Sequence, residues 1–313
     1  MHPARSVIFF TTSSGAGYGL IVITAVLDCL GMVPPDAAAT IALIGCAVAL
    51  IVAGLLSSTL HLGHPERAWR ALSQWRSSWL SREGVAAVAT FVPIGAYVLS
   101  RLVGDPTSMV TLGAGLAAAL GSLVTVYCTA MIYASLRPVH AWATAWTPVA
   151  YVALALMTGA VLFNAIAGVL GFPEPVAAMI AMVLIVAGLG AKAGYWMRMD
   201  RRAAVSTPET ATGLAALGKV QLLEAPHTEA NYLMKEMGFR IARKHAVRLR
   251  VVAVWLGFAI PCLGVAGALI PGTDFEIAVA LAAFIVMIPG ILTERWLFFA
   301  EAKHAVGLYY GSA

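Results

Sequence analysis

Two groups of complementary chemistry bracket one short stretch of this chain. His61 opens it and Glu83 closes it, in HLGHPERAWRALSQWRSSWLSRE. A histidine titrates near neutrality, and partial burial tunes a carboxyl group toward the same range, so the pair is suited to moving protons. Between them stand Arg67, Arg70, Arg76 and Arg82, interleaved with Trp69, Trp75 and Trp79. A lipid-soluble quinone has matching needs. Its ring takes an aromatic wall, its carbonyls take hydrogen-bond donors, and its two-electron chemistry takes proton carriers. On that reading His61 and Glu83 face the ring, Arg82 stabilises negative charge on it, and Trp79 and Trp69 supply the wall.

The same residues also fit a plainer role. Pro65 suits the first turn of a helix. An α-helix over about 66–80 would place Ala68, Leu72, Trp75 and Trp79 on one face, with Arg67, Arg70, Gln74 and Ser77 largely opposite. That is the pattern of a helix lying in a lipid–water interface. Ser81 would then cap the next helix, and Glu83 would sit in its first turn, where the helix dipole favours a carboxylate. Anchoring accounts for the arginines and tryptophans; it accounts less well for His61.

The elements that must position this stretch are membrane spans. Of 313 residues, 60% are hydrophobic and 11% charged, against about a quarter charged in a soluble domain. Apolar runs of roughly 20 residues recur, each long enough to cross a hydrocarbon core. Eight spans are expected, at about 7–30, 37–60, 84–103, 108–134, 148–170, 174–197, 248–270 and 275–298. The runs are continuously apolar, which excludes an outer-membrane barrel. The first run follows Arg5 but lacks a small-x-small cleavage site, so it reads as a retained span. The fold class expected is all-α and polytopic, one membrane domain over 1–313 with a polar region at about 198–247.

Lys and Arg set the orientation. Of 20 such residues, 18 fall on the side holding both termini, among them Arg5, Arg137, Arg198, Arg295 and Lys303. Arg101 alone lies on the other side, and Lys192 sits inside the end of the sixth span. The excess predicts cytoplasmic termini in a bacterial inner membrane, with soluble partners on the cytoplasmic side.

No ionisable residue is expected at the middle of a span, which argues against a pump or proton-coupled transporter. Arg295 is taken as a charge of the C-terminal end, and Asp28 as near enough to the outer end of the first span to reach water. All seven histidines fall in loops or at span ends, so no haem is expected. Cys29, Cys46, Cys128 and Cys262 lie in four different runs without a CxxC pair; they read as small buried hydrophobes, with no iron–sulfur cluster or metal in this chain. SSGAGYG (Ser13 to Gly19) lacks the βαβ setting of a nucleotide loop and reads as close helix packing. Ser13, Ser14 and Tyr18 could alternatively border a ligand pocket. Asn164 and Tyr127 to Thr129 are candidates for interhelical hydrogen bonds. Residues 198–226 are expected to be irregular, and 228–247 a helix whose apolar side, with Tyr232 and Phe239, seats a soluble partner. Trp296 and Phe298 read as an aromatic belt.

The run HLGHPERAWRAL…SWLSRE resembles the signature of the DmsC-like membrane anchors of dimethyl sulfoxide reductases. SVIFFTTSSGAGYGL and NYLMKEMGF…RKHA are similar to family sequence too, so the likeness covers most of the chain. It implies a haem-free anchor on which a four-cluster iron–sulfur subunit and a molybdopterin catalytic subunit dock, exchanging electrons with ubiquinone or menaquinone. It also implies that His61 and Glu83 are the residues tied to quinol binding. His64 stands where the family often has a small residue, and offers a second proton carrier. Arg67, Arg70 and Arg76 could help seat the partner. The inferred orientation looks more like the anchor of a cytoplasmic sulfite-oxidising complex than one whose catalytic subunit is exported. A dimethyl sulfoxide reductase-type anchor oxidising quinol is the alternative. A transporter or a bare scaffold lies outside the class, and the bilayer rather than nucleic acid is the remaining partner.

Overall fold

A computed structural model describes residues 4–60, 62–201, 207–221, 223–224, 241–270 and 276–310. His61, Tyr232 and Phe239 lie outside the described residues, as does most of the helix expected over 228–247. Eight helices long and apolar enough to cross a membrane are present among them: α1 (Arg5–Cys29), α2 (Ala37–Thr59), α3 (Trp79–Val103), α4 (Met109–Ala134), α5 (Trp146–Val169), α6 (Pro175–Arg201), α7 (His245–Gly267) and α8 (Ile277–Ala300). The protein is a multi-pass, all-helical membrane protein. Large apolar side chains such as Leu56, Val92, Leu120, Val183 and Leu263 face outward, as lipid-facing surfaces require.

The helices at the centre are α1 and α5, the most buried of the eight. Their contact explains the small residues of SSGAGYG. A Cβ added at Gly19 would lie 1.8 Å from the Ala155 carbonyl oxygen, and one at Gly159 would lie 2.2 Å from the Gly19 carbonyl carbon. The two backbones touch, and dispersion over that face replaces the hydrophobic drive that lipid does not provide. On the other side of α1, Ser13 Oγ donates to the Leu50 carbonyl of α2 at 2.8 Å. α3 and α4 form a hairpin against this core, joined by the Thr90 and Thr125 hydroxyls at 3.2 Å. α7 meets α8 where Gly257 and Gly290 bring backbones together. Gly257 falls in a π turn at Trp255–Ala259, and Gly290 follows Pro289.

Local signals set the ends. α1 and α5 both stop at glycines in the left-handed region, Gly31 (φ 71) and Gly171 (φ 77), conformations that a side chain would strain. Asp36 caps α2 by accepting from the Ala39 N–H at 2.7 Å. Ser108 caps α4 through Thr111.

Several expectations need revision. The segment after α2 is a 3-10 helix, Pro65–Gln74, shorter and tighter than an α-helix over 66–80. Trp79 belongs to α3, which starts five residues before the expected boundary. Ser81 is therefore inside α3, not its cap, and donates to the Ala71 carbonyl. Glu83 falls one turn deeper than expected. Asp28 does not reach water: it is buried, accepts from Tyr97 Oη at 2.6 Å and pairs with Arg101 at 2.5 Å. Arg295 is not an end charge, because α8 runs on to Ala300 and buries it. Lys192, Glu294 and Arg295 thus lie within spans, roughly one to three turns from the helix ends. Phe298 is buried among Tyr133, Trp142, Tyr151 and Phe299 rather than facing lipid. Cys29 is exposed, and the polar region contains, among the described residues 207–221, two short helical pieces, Pro208–Thr212 and Ala215–Leu217.

Candidate functional site

Where α3 enters the bundle, its first two turns separate two environments. On one side Arg82 folds back over the preceding segment. Its Nε donates to the Trp75 carbonyl at 2.9 Å and its Nη2 to the Arg76 carbonyl at 2.7 Å. The guanidinium lies 4.3 Å from the centre of the Trp79 ring, and Trp79 meets Tyr127 edge-on at 6.0 Å. Leu72 packs against Gly84, where a Cβ would come within 2.6 Å of it. These contacts hold the 65–78 segment against α3 and commit two Arg82 donors to backbone.

Glu83 points the other way. It is 6% exposed, and its Oε1 accepts from Thr129 Oγ1 of α4 at 2.8 Å. Among the described residues it forms no ion pair. Tyr18 of α1 is within electrostatic reach of Glu83, and its buried hydroxyl makes no hydrogen bond of normal geometry among the described residues. A carboxyl group placed this way is costly in a membrane span and commonly marks a proton or substrate path.

Thr129 also lines a small cleft of about 20 Å³ between α1, α4, α5 and α8, with Ser14, Tyr151, Thr158, Ile291 and Arg295 on its walls. That is room for about one water molecule as the helices stand. Its hydroxyls are oriented by their own helices: Ser14 donates to the Phe10 carbonyl at 2.7 Å and Thr158 to the Leu154 carbonyl at 2.8 Å. They therefore present oxygen lone pairs to the cleft. Donor capacity comes from Arg295 and Tyr151. The buried Nε–H of the one and hydroxyl of the other make no hydrogen bond of normal geometry among the described residues, although the two side chains lie close enough to interact with each other. A larger cleft, of about 130 Å³, lies at the opposite end of the bundle near Asn164 and Glu174; Asn164 is already satisfied by the Ala160 and Ala177 carbonyls.

The other expected site residues are not gathered at Glu83. His64 is exposed, with Nδ1 3.0 Å from Glu66 Oε1. Trp69 is 68% exposed and carries Arg70 over its ring. Arg67, Arg70 and Arg76 are exposed on the same end of the bundle. Sequence reasoning missed Tyr151, Thr158 and Arg295 as pocket residues, and Thr129 as the partner of Glu83. The available signal was Lys192 and Glu294, opposite charges in two apolar runs at similar depth from one face.

Comparison with known proteins agrees with this architecture. The family model of DMSO reductase anchor subunits (DmsC) matches residues 1–311, and the chain belongs to that family. It is a membrane anchor subunit of a multi-subunit oxidoreductase complex. It is 34% identical to the C subunit of the sulfite dehydrogenase of Allochromatium vinosum over 327 aligned positions, covering 100% of this chain and 99% of the relative. It is 30% identical to the C component of the anaerobic dimethyl sulfoxide reductase of Escherichia coli over 142 positions, covering 44% of this chain and 49% of that protein. No solved structure matches the chain.

Proposed function

We propose that this chain, as one membrane unit over 1–313, anchors a molybdopterin subunit and an iron–sulfur subunit and binds the quinone that receives their electrons. The observation that carries the reading is Glu83, buried with no ion pair among the described residues and hydrogen-bonded through Thr129 to a polar cleft. The lining of the cleft suits a quinone head group once the surrounding helices part to admit it: donors at Arg295 and Tyr151 suit its carbonyl oxygens, and apolar walls at Leu154 and Ile291 suit its ring. Bound there, a quinone supplies the two-electron, two-proton chemistry. Glu83 and Thr129 hold and pass a proton at the cleft edge. His61, at the start of the motif, relays protons to and from water, with His64 as a second carrier. Trp79 and Arg82 brace the entrance, and Trp69 flanks it.

Arg67, Arg70 and Arg76, with Tyr232 and Phe239, seat the iron–sulfur subunit on the face that holds both termini, which we assign to the cytoplasm of a bacterial inner membrane. Electrons then pass directly from the partner's last cluster to quinone. Full-length similarity to a sulfite dehydrogenase subunit supports sulfite as the electron source. The shorter match to a dimethyl sulfoxide reductase component leaves quinol oxidation as the second reading.

The test is photolabelling of the assembled complex with an azido-quinone. Labelled peptides from α1, α4, α5 or α8 around the cleft support the site; labelling confined to the cleft near Asn164 would overturn it.

A further inference from the structure

We infer that Arg295 is a quinone-binding residue: its guanidinium holds a carbonyl oxygen of the ring, from the α8 wall of the cleft that Thr129, the partner of Glu83, also lines. The inference rests on the quinone reading and adds to it a specific donor, from a residue that sequence places only as a charge near the C-terminus.

Arg295 is 3% exposed and lines the cleft. Its charge is poorly compensated. The nearest anion, Glu294, lies 3.6 Å away, beyond a good hydrogen bond. Lys192 already holds that carboxylate at 2.5 Å. Lys192, Glu294 and Arg295 together carry one net positive charge in the bundle interior. The next anion along, Glu301, is held by Arg250 at 3.0 Å, and Arg250 also pairs with Asp200 at 2.7 Å. Further support comes from the faces of Tyr151 and Phe298, with the guanidinium 3.8 and 5.9 Å from the ring centres, and from polar contact with the Tyr151 side chain. A buried guanidinium whose Nε–H has no hydrogen-bond partner among the described residues is costly. An acceptor oxygen entering the cleft removes that cost. The surrounding hydroxyls spend their protons on their own helices or, at Thr129, on Glu83 of α3, so a carbonyl ligand must take its hydrogen bonds from Arg295 or Tyr151.

Lys192 has a defined part in this arrangement. By occupying Glu294 it keeps Arg295 available to the cleft, and so acts as a positioning residue.

The experiment uses the assembled complex carrying Arg295→Gln, Arg295→Lys or Ile291→Trp, the last filling the cleft without altering charge. Binding of decyl-ubiquinone and of a short-chain menaquinone analogue is measured by calorimetry, beside quinone-linked kinetics and substrate oxidation with an artificial dye. Loss of a charged hydrogen bond, about 1.5–3 kcal/mol, corresponds to a rise of roughly 10- to 150-fold in dissociation constant. Arg295→Gln should raise the dissociation constant and KM by that factor with a smaller change in kcat, and should leave dye-linked activity intact. Arg295→Lys should fall between wild type and Arg295→Gln, and Ile291→Trp should abolish binding. Unaltered binding in Arg295→Gln overturns the inference. If Ile291→Trp also binds normally, the cleft is not the site and the quinone reading placed there falls with it; if only Arg295→Gln is indifferent, that reading stands and the inference alone fails. Should Arg295→Gln fail to assemble, normal binding by Ile291→Trp would still overturn the inference.

Discussion

Thr129 Oγ1 reaches across from α4 to Glu83 Oε1 of α3 at 2.8 Å, and the same oxygen lies 3.0 Å from the Thr125 carbonyl. One hydroxyl therefore stands between a buried carboxyl group and its own helix, at the edge of a polar cleft. Thr129→Val keeps the shape and removes the hydroxyl, at a cost of about 1–3 kcal/mol for the buried group left without its partner. Quinone-linked turnover of the complex should drop at least several-fold while dye-linked oxidation is kept. Thr129→Ser should recover most of the rate.

At the far end of the bundle, Asp28 and Arg101 form a satisfied pair, with Tyr97, Thr40 and the Pro34 carbonyl completing their hydrogen bonds. Arg101→Met strands the Asp28 carboxylate in the interior and should destabilise by about 3–5 kcal/mol. Thermal unfolding of the detergent-solubilised complex checks this. The double variant Asp28→Leu/Arg101→Met should be less damaged than Arg101→Met alone.

Gly19→Ala tests the α1–α5 contact. The added methyl has no room against the Ala155 carbonyl, so the helices must separate. We expect a large fall in yield of intact complex. Gly31→Ala should cost less, since open space surrounds that position and only its positive φ resists a side chain.

A pH effect is expected at His304, beyond the end of α8. Burial is the main cause that pushes its pKa below the usual histidine value. The geometry agrees, because His304 Nδ1 accepts from the Val306 N–H at 3.1 Å, which a protonated ring cannot do. The folded state thus binds fewer protons than the unfolded state here. Stability from this contact is complete above the unfolded value of about 6.5 and is lost as pH falls through the lower folded value. Hydrogen-exchange protection of peptides covering 301–310 should fall on acidification, and His304→Asn should flatten that dependence.

Much of the frame was legible because span length and apolar composition follow directly from bilayer thickness. Seven of the eight expected spans begin within a few residues of the observed helices; α3 begins five residues early, because Trp79 and Leu80 continue the helix where a polar-flanked boundary was expected. Glu83 was legible as chemistry, from a carboxyl group beside an aromatic and basic stretch. Its partner was legible only as a candidate for an interhelical hydrogen bond, within Tyr127 to Thr129; that Thr129 meets Glu83 is selected by packing alone. Arg295 was misread for a related reason. A charge one to two turns from a helix end looks like an end charge until its packing over Tyr151 of α5 is seen. The apolar spacing over 66–80 pointed to a helix, but Arg82 and Ser81 hold that segment by its carbonyls in a tighter form that the spacing does not encode.

Whether the buried carboxyl group carries protons for quinone is decided by Glu83→Gln in the assembled complex, with quinone-linked and dye-linked oxidation measured on one preparation. The substitution keeps size and hydrogen-bonding capacity but cannot carry a proton. Quinone-linked turnover should fall by about tenfold or more, one decade being about 1.4 kcal/mol in the barrier, while dye-linked turnover and subunit stoichiometry stay at wild-type levels. Equal rates with quinone in Glu83→Gln and wild type would contradict a proton-carrying role for this carboxyl group.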